Sequence, residues 1–207
     1  MKQPKIVIID YGVGNTHSVF NAITSLGYRK VKISDEEKLI GAADALVLPG
    51  VGAFDEAMKN LEGRGLKTVL DAEVLKKKKP ILGICVGMQM FASYSEENGI
   101  HNGLNWIEGN VKRLDLPSQY SVPHVGWNNV RYSNSDPVFN RNGNDCNFYF
   151  DHSYYFDCDY KYVAAFCDYG INVTAAVQHE NIFGVQFHPE KSQTNGLKLF
   201  RSFFNSI

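Results

Sequence analysis

The stretch "PILGICVGMQ", residues 80–89, decides the fold of this 207-residue chain. A short apolar run leads into a cysteine bracketed by glycines, and Gly83, Cys85 and Gly87 fit the pattern G-x-C-x-G. This pattern is typical of a strand that turns sharply into a helix, because the flanking positions must lack side chains for the chain to pass. We therefore predict a strand that ends near Cys85, a helix from about residue 86, and a sulfur lifted clear of the sheet.

The segments around this stretch alternate between short apolar runs and helical patterns. "KIVIID" precedes a helical pattern over 15–27, and "ALVLPG" precedes helical patterns over 54–61 and 66–79. Strands and helices that alternate at this pitch predict right-handed βαβ units and a parallel sheet with helices on both faces.

The pattern changes after residue 105. The runs "NFYFDHSYYF", "YVAAFC", "VTAAVQ" and "IFGVQF", separated by turn residues, predict an antiparallel region at one side of the same sheet. At the end of the chain Leu197, Phe200, Phe204 and Ile207 have helical spacing and predict a helix that packs on the core. We expect one α/β domain over residues 1–207, with a mostly parallel central sheet and an antiparallel extension.

Composition and charge exclude several classes of function. The net charge of −1 provides no broad field for nucleic acid or anionic lipid, and we interpret the basic run 76–79 as a solvated helix end. No window approaches the ~18 apolar residues of a membrane span, so we expect a cytoplasmic protein. No metal or cofactor is expected, since no ligand cluster stands out. No disulfide framework is expected either, which leaves as ordinary thiols Cys146, Cys158 and Cys167.

The segment "VQFHPEKS", residues 185–192, supplies a base for the cysteine. Pro189 keeps His188 extended, and Glu190, two positions further on, projects to the same side as His188. The carboxylate can then hold one imidazole nitrogen while the other faces the thiol. We predict a triad of Cys85, His188 and Glu190, with the start of the helix favouring thiolate.

The third feature is a source of backbone donors for an oxyanion. In "LPGVGAF" Gly50 and Gly52 flank Val51 at the end of a strand, and the carboxyl ends of parallel strands share one rim. The N–H of Val86 is one predicted donor, and an N–H of Val51 or Gly52 is the second. Two glycines also let the peptide between them rotate at little cost.

These residues resemble the class I, triad-type glutamine amidotransferases, whose signature segments are "GICVGMQ" and "FHPEKS". Within that family they resemble the glutaminase subunits of imidazole glycerol phosphate synthase. The likeness continues through "IDYGVGNTHSV", "LPGVGAFDEAM", "HVGWN" and "YFDHSYY", so that it covers almost the whole chain.

The resemblance implies that Cys85 attacks L-glutamine to give a thioester and ammonia, with His188 as acid and base and Glu190 orienting it. It also implies a site for the amino-acid end of glutamine, made by Gly50, Gln89, Glu97, His152, Ser153 and Tyr154. Asp151 departs from the apolar residue that the family pattern has before the histidine, which puts local packing there in question.

The resemblance further implies a (β/α)₈-barrel cyclase subunit as partner in a heterodimer. That partner takes up ammonia and forms imidazole glycerol phosphate and an aminoimidazole carboxamide ribotide (AICAR). By the same likeness Trp127 is an interface residue, and Asn15 and Lys191 lie near the docking face. Three alternatives stay open: a paralogous subunit that feeds a synthase aminating a surface-sugar precursor, a cysteine hydrolase such as a peptidase that acts alone, and a silent binding subunit.

Overall fold

The computed structural model describes residues 3–133 and 146–207. The strands within these ranges are β1 (Ile6–Ile9), β2 (Val31–Ser34), β3 (Ala45–Gly50), β4 (Ile81–Cys85), β5 (Tyr94–Ser95), β6 (His101–Asn102), β7 (Gly109–Arg113), β8 (His124–Tyr132), β9 (Cys146–His152), β10 (Tyr154–Cys158), β11 (Val163–Asp168), β12 (Asn172–His179) and β13 (Ile182–Val185).

Nine strands form the central sheet in the order β2-β1-β3-β4-β13-β12-β11-β8-β9. Neighbouring strands from β2 to β13 run parallel, and those from β13 to β9 run antiparallel. The inner strands β1, β3, β4 and β13 are buried along their whole length, as a sheet covered on both faces requires. The predicted parallel sheet with an antiparallel extension is therefore confirmed.

The helices are α1 (Thr16–Ser25), α2 (Glu37–Ala42), α3 (Phe54–Gly63), α4 (Leu66–Leu70), α5 (Val86–Gln89) and α6 (Gln193–Asn205). The first four connect consecutive parallel strands, α5 follows β4, and α6 follows the last strand, β13. A π-helical segment, Asp71–Lys76, continues α4, and short 3₁₀ turns occur at Tyr160–Tyr162 and Pro189–Lys191. Among the residues described, no helix is both long and apolar enough to cross a bilayer.

A second, four-stranded sheet was not predicted. Its order is β10-β7-β5-β6, and β10 pairs antiparallel with β7. The run "NFYFDHSYYF" is therefore two strands in two sheets, with β9 ending at His152 and β10 beginning at Tyr154. Ser153 is the junction, and this change of sheet turns the backbone across the carboxyl end of the central strands.

One residue of the basic run 76–79 contradicts the interpretation as a solvated helix end. The first three lysines are exposed, but Lys79 is buried and its Nζ lies 2.7 Å from Glu73 Oε2. The same ammonium donates to the carbonyl of Ile40 at 2.6 Å. Burial raises the pKa of Glu73, but its bonds to two lysines outweigh burial and hold that pKa below the usual value.

The C-terminal helix packs on the core as predicted, but with a different face. The buried apolar residues of α6 are Leu199, Phe200, Phe203 and Phe204. Leu197 is only half-buried, and Ile207 lies beyond the helix and is 43% exposed. Within this face Phe203 packs edge to face against the ring of Phe183.

Candidate active site

The elbow around Cys85 has the predicted strand-to-helix geometry. β4 ends at Cys85 and α5 begins at the next residue, with Cys85 at φ 55° and ψ −114°. A positive φ is costly for a residue with a side chain, and such strain is typical of functional positions. A Cβ on Gly87 would lie 1.9 Å from the carbonyl oxygen of Leu48, and one on Gly83 would lie 2.6 Å from the Phe91 ring. Both flanking positions therefore require glycine.

The structure brings Cys85, His188 and Glu190 together. His188 Nδ1 lies 2.8 Å from Glu190 Oε1, and the imidazole lines the same cavity as Cys85, close enough to interact with its sulfur. Because the carboxylate can only accept, Nδ1 carries the proton of that bond and Nε2 faces the sulfur. The side chains of His188 and Glu190 are 3% and 1% exposed.

The charge state of His188 follows from these two partners. Burial lowers the pKa of His188, but its hydrogen bonds to Cys85 and Glu190 outweigh burial and raise the pKa to about 10. The imidazole is therefore charged at neutral pH, before any substrate arrives. The positive charge of His188 therefore lies beside the sulfur.

The backbone of His188 is tied to β9, the edge strand of the central sheet. Its N–H donates to the carbonyl of Tyr149 in β9 at 2.8 Å, and its own carbonyl accepts from Ser192 Oγ at 2.6 Å. Ser192 Oγ in turn accepts from the N–H of Tyr149 at 3.0 Å. These bonds hold the base in place independently of Glu190.

A cavity of about 300 Å³ opens at the carboxyl ends of β3, β4 and β13. The predicted site residues that line it are Val51, Gly52, Cys85, Val86, Gln89, Glu97, His152, Ser153, Tyr154, His188 and Lys191. Pro123 and Asp151 also line the cavity and were not predicted. Within the described residues no three His, Cys, Asp or Glu side chains cluster as metal ligands would.

Gly50 supports the elbow from below and is not among the residues that line the cavity. It pairs with Cys85 in the β3–β4 register, and a Cβ there would lie 2.6 Å from the Gly87 nitrogen. The hydroxyl of Tyr11, 2.8 Å from the same Cβ, donates to the carbonyl of Pro49 at 2.7 Å. The next glycine, Gly52, has φ 88°, a conformation that other residues rarely adopt.

Two adjacent glutamates occupy different surroundings. Glu97 lines the cavity, and its Oε2 accepts from the N–H of Phe54 at 2.8 Å. Burial raises the pKa of Glu97, and the bond from Phe54 partly offsets this. Glu96 instead accepts from Asn110 on the exposed side of the second sheet. The carboxylate available at the cavity is therefore that of Glu97.

Gln89 is linked to the sulfur through Gln186, a residue that was not predicted to belong to the site. Gln89 Nε2 donates to the carbonyl of Tyr154 and to Gln186 Oε1, both at 2.9 Å. Gln186 is fully buried, and its Nε2 lies 3.7 Å from Cys85 Sγ. The available signal was a lone amide inside the apolar strand run "IFGVQF".

A second feature that was not predicted is the pairing of His152, which lines the cavity, with the buried His124. His152 Nδ1 lies 2.8 Å from the carbonyl of Tyr154, so Nδ1 carries a hydrogen and Nε2 must accept. His124 Nδ1, 3.1 Å from His152 Nε2, therefore donates, and His124 Nε2 accepts from Asn128 at 3.4 Å. Burial lowers the pKa of His124 to about 4 and that of His152 to about 3. Both rings are thus neutral with fixed tautomers.

An exposed aromatic and charged face lies beside the mouth of the cavity. Trp127 is 47% exposed and packs edge to face with Tyr149, with ring centroids 6.2 Å apart. Lys191 Nζ lies 5.3 Å from the Tyr149 ring centre and 4.0 Å from Asp151. Asp151 is exposed, so the departure noted at this position causes no packing conflict. Asn15 begins α1, which packs against the turn Pro189–Lys191.

This chain belongs to the class-I glutamine amidotransferases, since the model of that family matches residues 7–207. It is therefore an enzyme of the glutaminase type. Two solved structures share the fold over nearly their full length. A glutamine amidotransferase aligns with a TM-score of 0.75 at 18% identity, covering 96% of this chain and 97% of that chain. PurLQS from Thermotoga maritima aligns with a TM-score of 0.74 at 17% identity, covering 99% of both chains.

Curated relatives are similar over nearly the whole chain. Imidazole glycerol phosphate synthase subunit HisH 2 of Vibrio vulnificus (strain YJ016) is 48% identical, covering 98% of this chain and 95% of the relative. The HisH 2 subunit of Pseudomonas aeruginosa is 45% identical, covering 98% of this chain and 100% of the relative. The HisH 1 subunit of Campylobacter jejuni (serotype O:23/36, strain 81-176) is 44% identical, covering 96% and 98%.

Proposed function

We propose that this chain is the glutaminase subunit of a cytoplasmic imidazole glycerol phosphate synthase in histidine biosynthesis. It hydrolyses L-glutamine to glutamate and delivers the ammonia to a (β/α)₈-barrel cyclase partner. The observation that carries this proposal is the position of His188, bonded to Glu190 and facing the Cys85 sulfur at a cavity of about 300 Å³ that both residues line. The names of relatives at 44–48% identity support the choice of synthase.

The first half of the reaction releases ammonia. The Cys85 thiolate attacks the carboxamide carbon of glutamine, and the C=O electron pair moves to the oxygen to give a tetrahedral oxyanion. The oxyanion collapses, the C–N bond breaks, and the leaving nitrogen takes the proton held by His188. Ammonia and a γ-glutamyl thioester result, with His188 now neutral and able to act as a base.

The second half returns the enzyme to its starting state. Water attacks the thioester carbon and gives a proton to His188, so that a second tetrahedral oxyanion forms. Its collapse breaks the C–S bond and releases glutamate and the thiolate. Throughout, Glu190 keeps the Nδ1 proton in place, so the same nitrogen faces the sulfur in both halves.

Backbone amides stabilise the oxyanion. The N–H of Val86 is free at the start of α5 and is the first donor. The second donor comes from the Val51–Gly52 segment, which lines the same cavity. Because glycine has no side chain to restrict its backbone, the peptide before Gly52 can rotate into and out of the donating orientation.

The amino-acid end of glutamine is recognised by cavity residues other than those that hold the oxyanion. Both amide hydrogens of Gln89 are already donated within the protein, so Gln89 offers its oxygen to the ammonium of the substrate. Glu97 supplies the compensating negative charge, and Ser153 and Tyr154, at the change of sheet, hold the carboxylate. Gly50 acts indirectly, by keeping the elbow and the Val51 segment in contact.

The partner docks on the face formed by Val125, Trp127, Tyr149, Asp151 and Lys191, with Asn15 at its border. Trp127 and Val125 are 47% and 54% exposed on the same side of β8, and aromatic anchors are common at the centre of interfaces. The face adjoins the mouth of the cavity through Asp151 and Lys191. Ammonia released there enters the partner directly, instead of becoming the non-nucleophilic ammonium ion in bulk water.

A reconstituted assay with the barrel cyclase and its phosphoribulosyl-formimino substrate tests the function. Cys85→Ala should abolish glutamine-dependent formation of AICAR, and ammonium salts at high pH should restore it. The matched control is Cys158→Ala, because burial raises the pKa of Cys158 to about 12 and keeps it an unreactive thiol outside the cavity. Glutamine hydrolysis by Cys85→Ala at the wild-type rate would refute the nucleophile.

The acceptor is tested separately from the nucleophile. Glutamine hydrolysis by the isolated chain should be slow and should rise when the cyclase and its substrate are added. Full activity of the chain alone would contradict partner-dependent function and would favour a hydrolase that acts by itself. If no AICAR forms with the cyclase and a different synthase aminates a sugar precursor instead, the chain is the paralogous subunit of surface-sugar synthesis.

A further inference from the structure

Gln186 occupies a position between the substrate wall of the cavity and the nucleophile. It follows β13 directly, stands two residues before His188, and is fully buried. Its backbone N–H donates to the carbonyl of Ala175 at 2.9 Å, which continues the pairing with β12. The side chain therefore projects from a rigid strand end, and its amide lies within 3.7 Å of Cys85 Sγ.

The orientation of the Gln186 amide is determined by its neighbours. The carbonyl of Tyr154 can only accept, so Gln89 must present its NH₂ group there. The second hydrogen of the same NH₂ group points at Gln186, which must therefore present its oxygen to Gln89. The NH₂ group of Gln186 then faces the sulfur. His152 Nδ1 also donates to the carbonyl of Tyr154, so this carbonyl, which orients Gln89, accepts two hydrogen bonds.

We propose that Gln186 is a further catalytic residue, whose side-chain N–H donates to the Cys85 sulfur and is held in that orientation by Gln89. The inference rests on the proposed function and deepens it. A neutral N–H donor supports an anionic sulfur without adding a charge that would compete with His188. Because Gln89 also offers its oxygen to the substrate, substrate recognition and orientation of the nucleophile belong to one hydrogen-bonded unit.

The sulfur has charged and titratable neighbours on several elements. His188 faces it from the loop after β13, and the buried hydroxyl of Tyr11 is close enough for the sulfur charge to raise the pKa of Tyr11 above its usual value, after the larger effect of burial. Replacement of Gln186 leaves these groups unchanged. A change in sulfur reactivity in the variant therefore reports the amide.

The test compares Gln186→Met with the matched control Gln178→Met. Methionine keeps the length of the side chain but cannot donate, and Gln178 lies on the neighbouring strand β12, outside the cavity. We expect iodoacetamide to alkylate Cys85 about tenfold more slowly in Gln186→Met at pH 7, as for loss of one hydrogen bond to a charged group. Gln178→Met should alkylate within about twofold of wild type, with the modified residue identified by mass spectrometry.

Steady-state kinetics and a double-mutant cycle complete the test. In the complex with the cyclase, Gln186→Met should lower kcat about tenfold and leave KM for glutamine nearly unchanged. In a Gln89→Met background the same change should cost much less, because Gln89 no longer holds the amide. If the Gln186→Met variant does not fold, the same measurements are made on Gln186→Leu.

The outcomes separate this inference from the proposed function. An unchanged alkylation rate in a folded Gln186 variant overturns the inference, whatever the glutaminase activity. Equal costs of Gln186→Met in both backgrounds overturn the role of Gln89. A Cys85→Ala variant that still hydrolyses glutamine refutes the proposed function instead, because the alkylation experiment reads the sulfur without requiring turnover.

Discussion

The buried histidine pair predicts how the stability of this protein depends on pH. In the folded chain His124 and His152 have pKa values of about 4 and about 3, against 6.5 when unfolded. The unfolded chain therefore binds two more protons than the folded chain between pH 6.5 and about 4, and stability falls as the pH is lowered through this window. The variant His124→Gln removes one of the two groups and keeps an N–H donor for His152.

The magnitude follows from the width of the window. Between pH 6.5 and pH 5, each histidine that stays neutral in the folded chain lowers the free energy of unfolding by about 1.6 kcal/mol, or about 3 kcal/mol for the pair, because the unfolded histidines are already half protonated at pH 6.5. His188 has the opposite sign. Its pKa of about 10 gives stability that is complete below pH 6.5 and is lost as the pH rises toward 10, so His188 adds no slope within the window.

Urea unfolding followed by the fluorescence of the buried Trp106 measures both slopes. Wild type should lose about 3 kcal/mol from pH 6.5 to pH 5, and His124→Gln about 1.6 kcal/mol. The variant also loses the stacking of His124 on Tyr169, at 3.8 Å between ring centroids, but this loss is independent of pH. Groups that titrate alike in both proteins cancel in the difference. Parallel curves for the two proteins would falsify the reasoning.

Three further substitutions have defined outcomes. Gly87→Ala places a Cβ 1.9 Å from the Leu48 carbonyl and should lower the free energy of unfolding by about 3 kcal/mol or more in urea titrations. Lys79→Met leaves the buried carboxylate of Glu73 without its closest buried partner and should cost about 3 kcal/mol, seen as a lower thermal midpoint. Trp127→Ala should weaken cyclase binding by about 2 kcal/mol in calorimetry, with the slow glutaminase activity of the isolated chain unchanged.

Each of these substitutions has a control elsewhere in the chain. Gly63→Ala, where a Cβ meets nothing within 4 Å, should not destabilise the protein. Lys78→Met breaks an exposed ion pair with Glu180 and should change stability by less than about 1 kcal/mol. Tyr160→Ala removes a 62% exposed ring that is not one of the docking-face residues and should leave cyclase affinity unchanged. Equal effects for a variant and its control would contradict the structural reason given.

The strand-to-helix elbow and the meeting of Cys85 with His188 could be predicted from the sequence because their signals are local. Glycines bracket the cysteine, and a proline and a glutamate follow the histidine within two residues. The sheet topology then brings the two residues together, because β4 and β13 are parallel neighbours whose carboxyl ends lie at the same edge of the sheet. A separation of about a hundred residues in the chain therefore did not obscure the site.

The contacts behind the site could not be predicted because they depend on pairing between distant segments. His124 meets His152 only through the antiparallel register of β8 and β9, and Gln186 meets Gln89 only across the β13–α5 contact. Lys79 differs, because its buried partner Glu73 is close to it in the chain, but nothing in the run 76–79 distinguishes the one lysine that is buried from the three that are exposed. In each case the residues adjacent in sequence give no sign that the polar side chain is buried with a hydrogen-bonding or charged partner.

The bonds that hold His188 also seal the last strand of the central sheet. β9 is an edge strand, and its outer N–H and C=O groups are the kind that recruit strands from other molecules. Here Tyr149 is saturated on that side by His188 and Ser192, and the carbonyl of Asn147 accepts from Asn195 at 3.1 Å. If the segment that carries His188 moved away, the unpaired backbone groups of β9 would become available to strands of other molecules. The same hydrogen bonds therefore hold the general base in place and protect the protein against self-association.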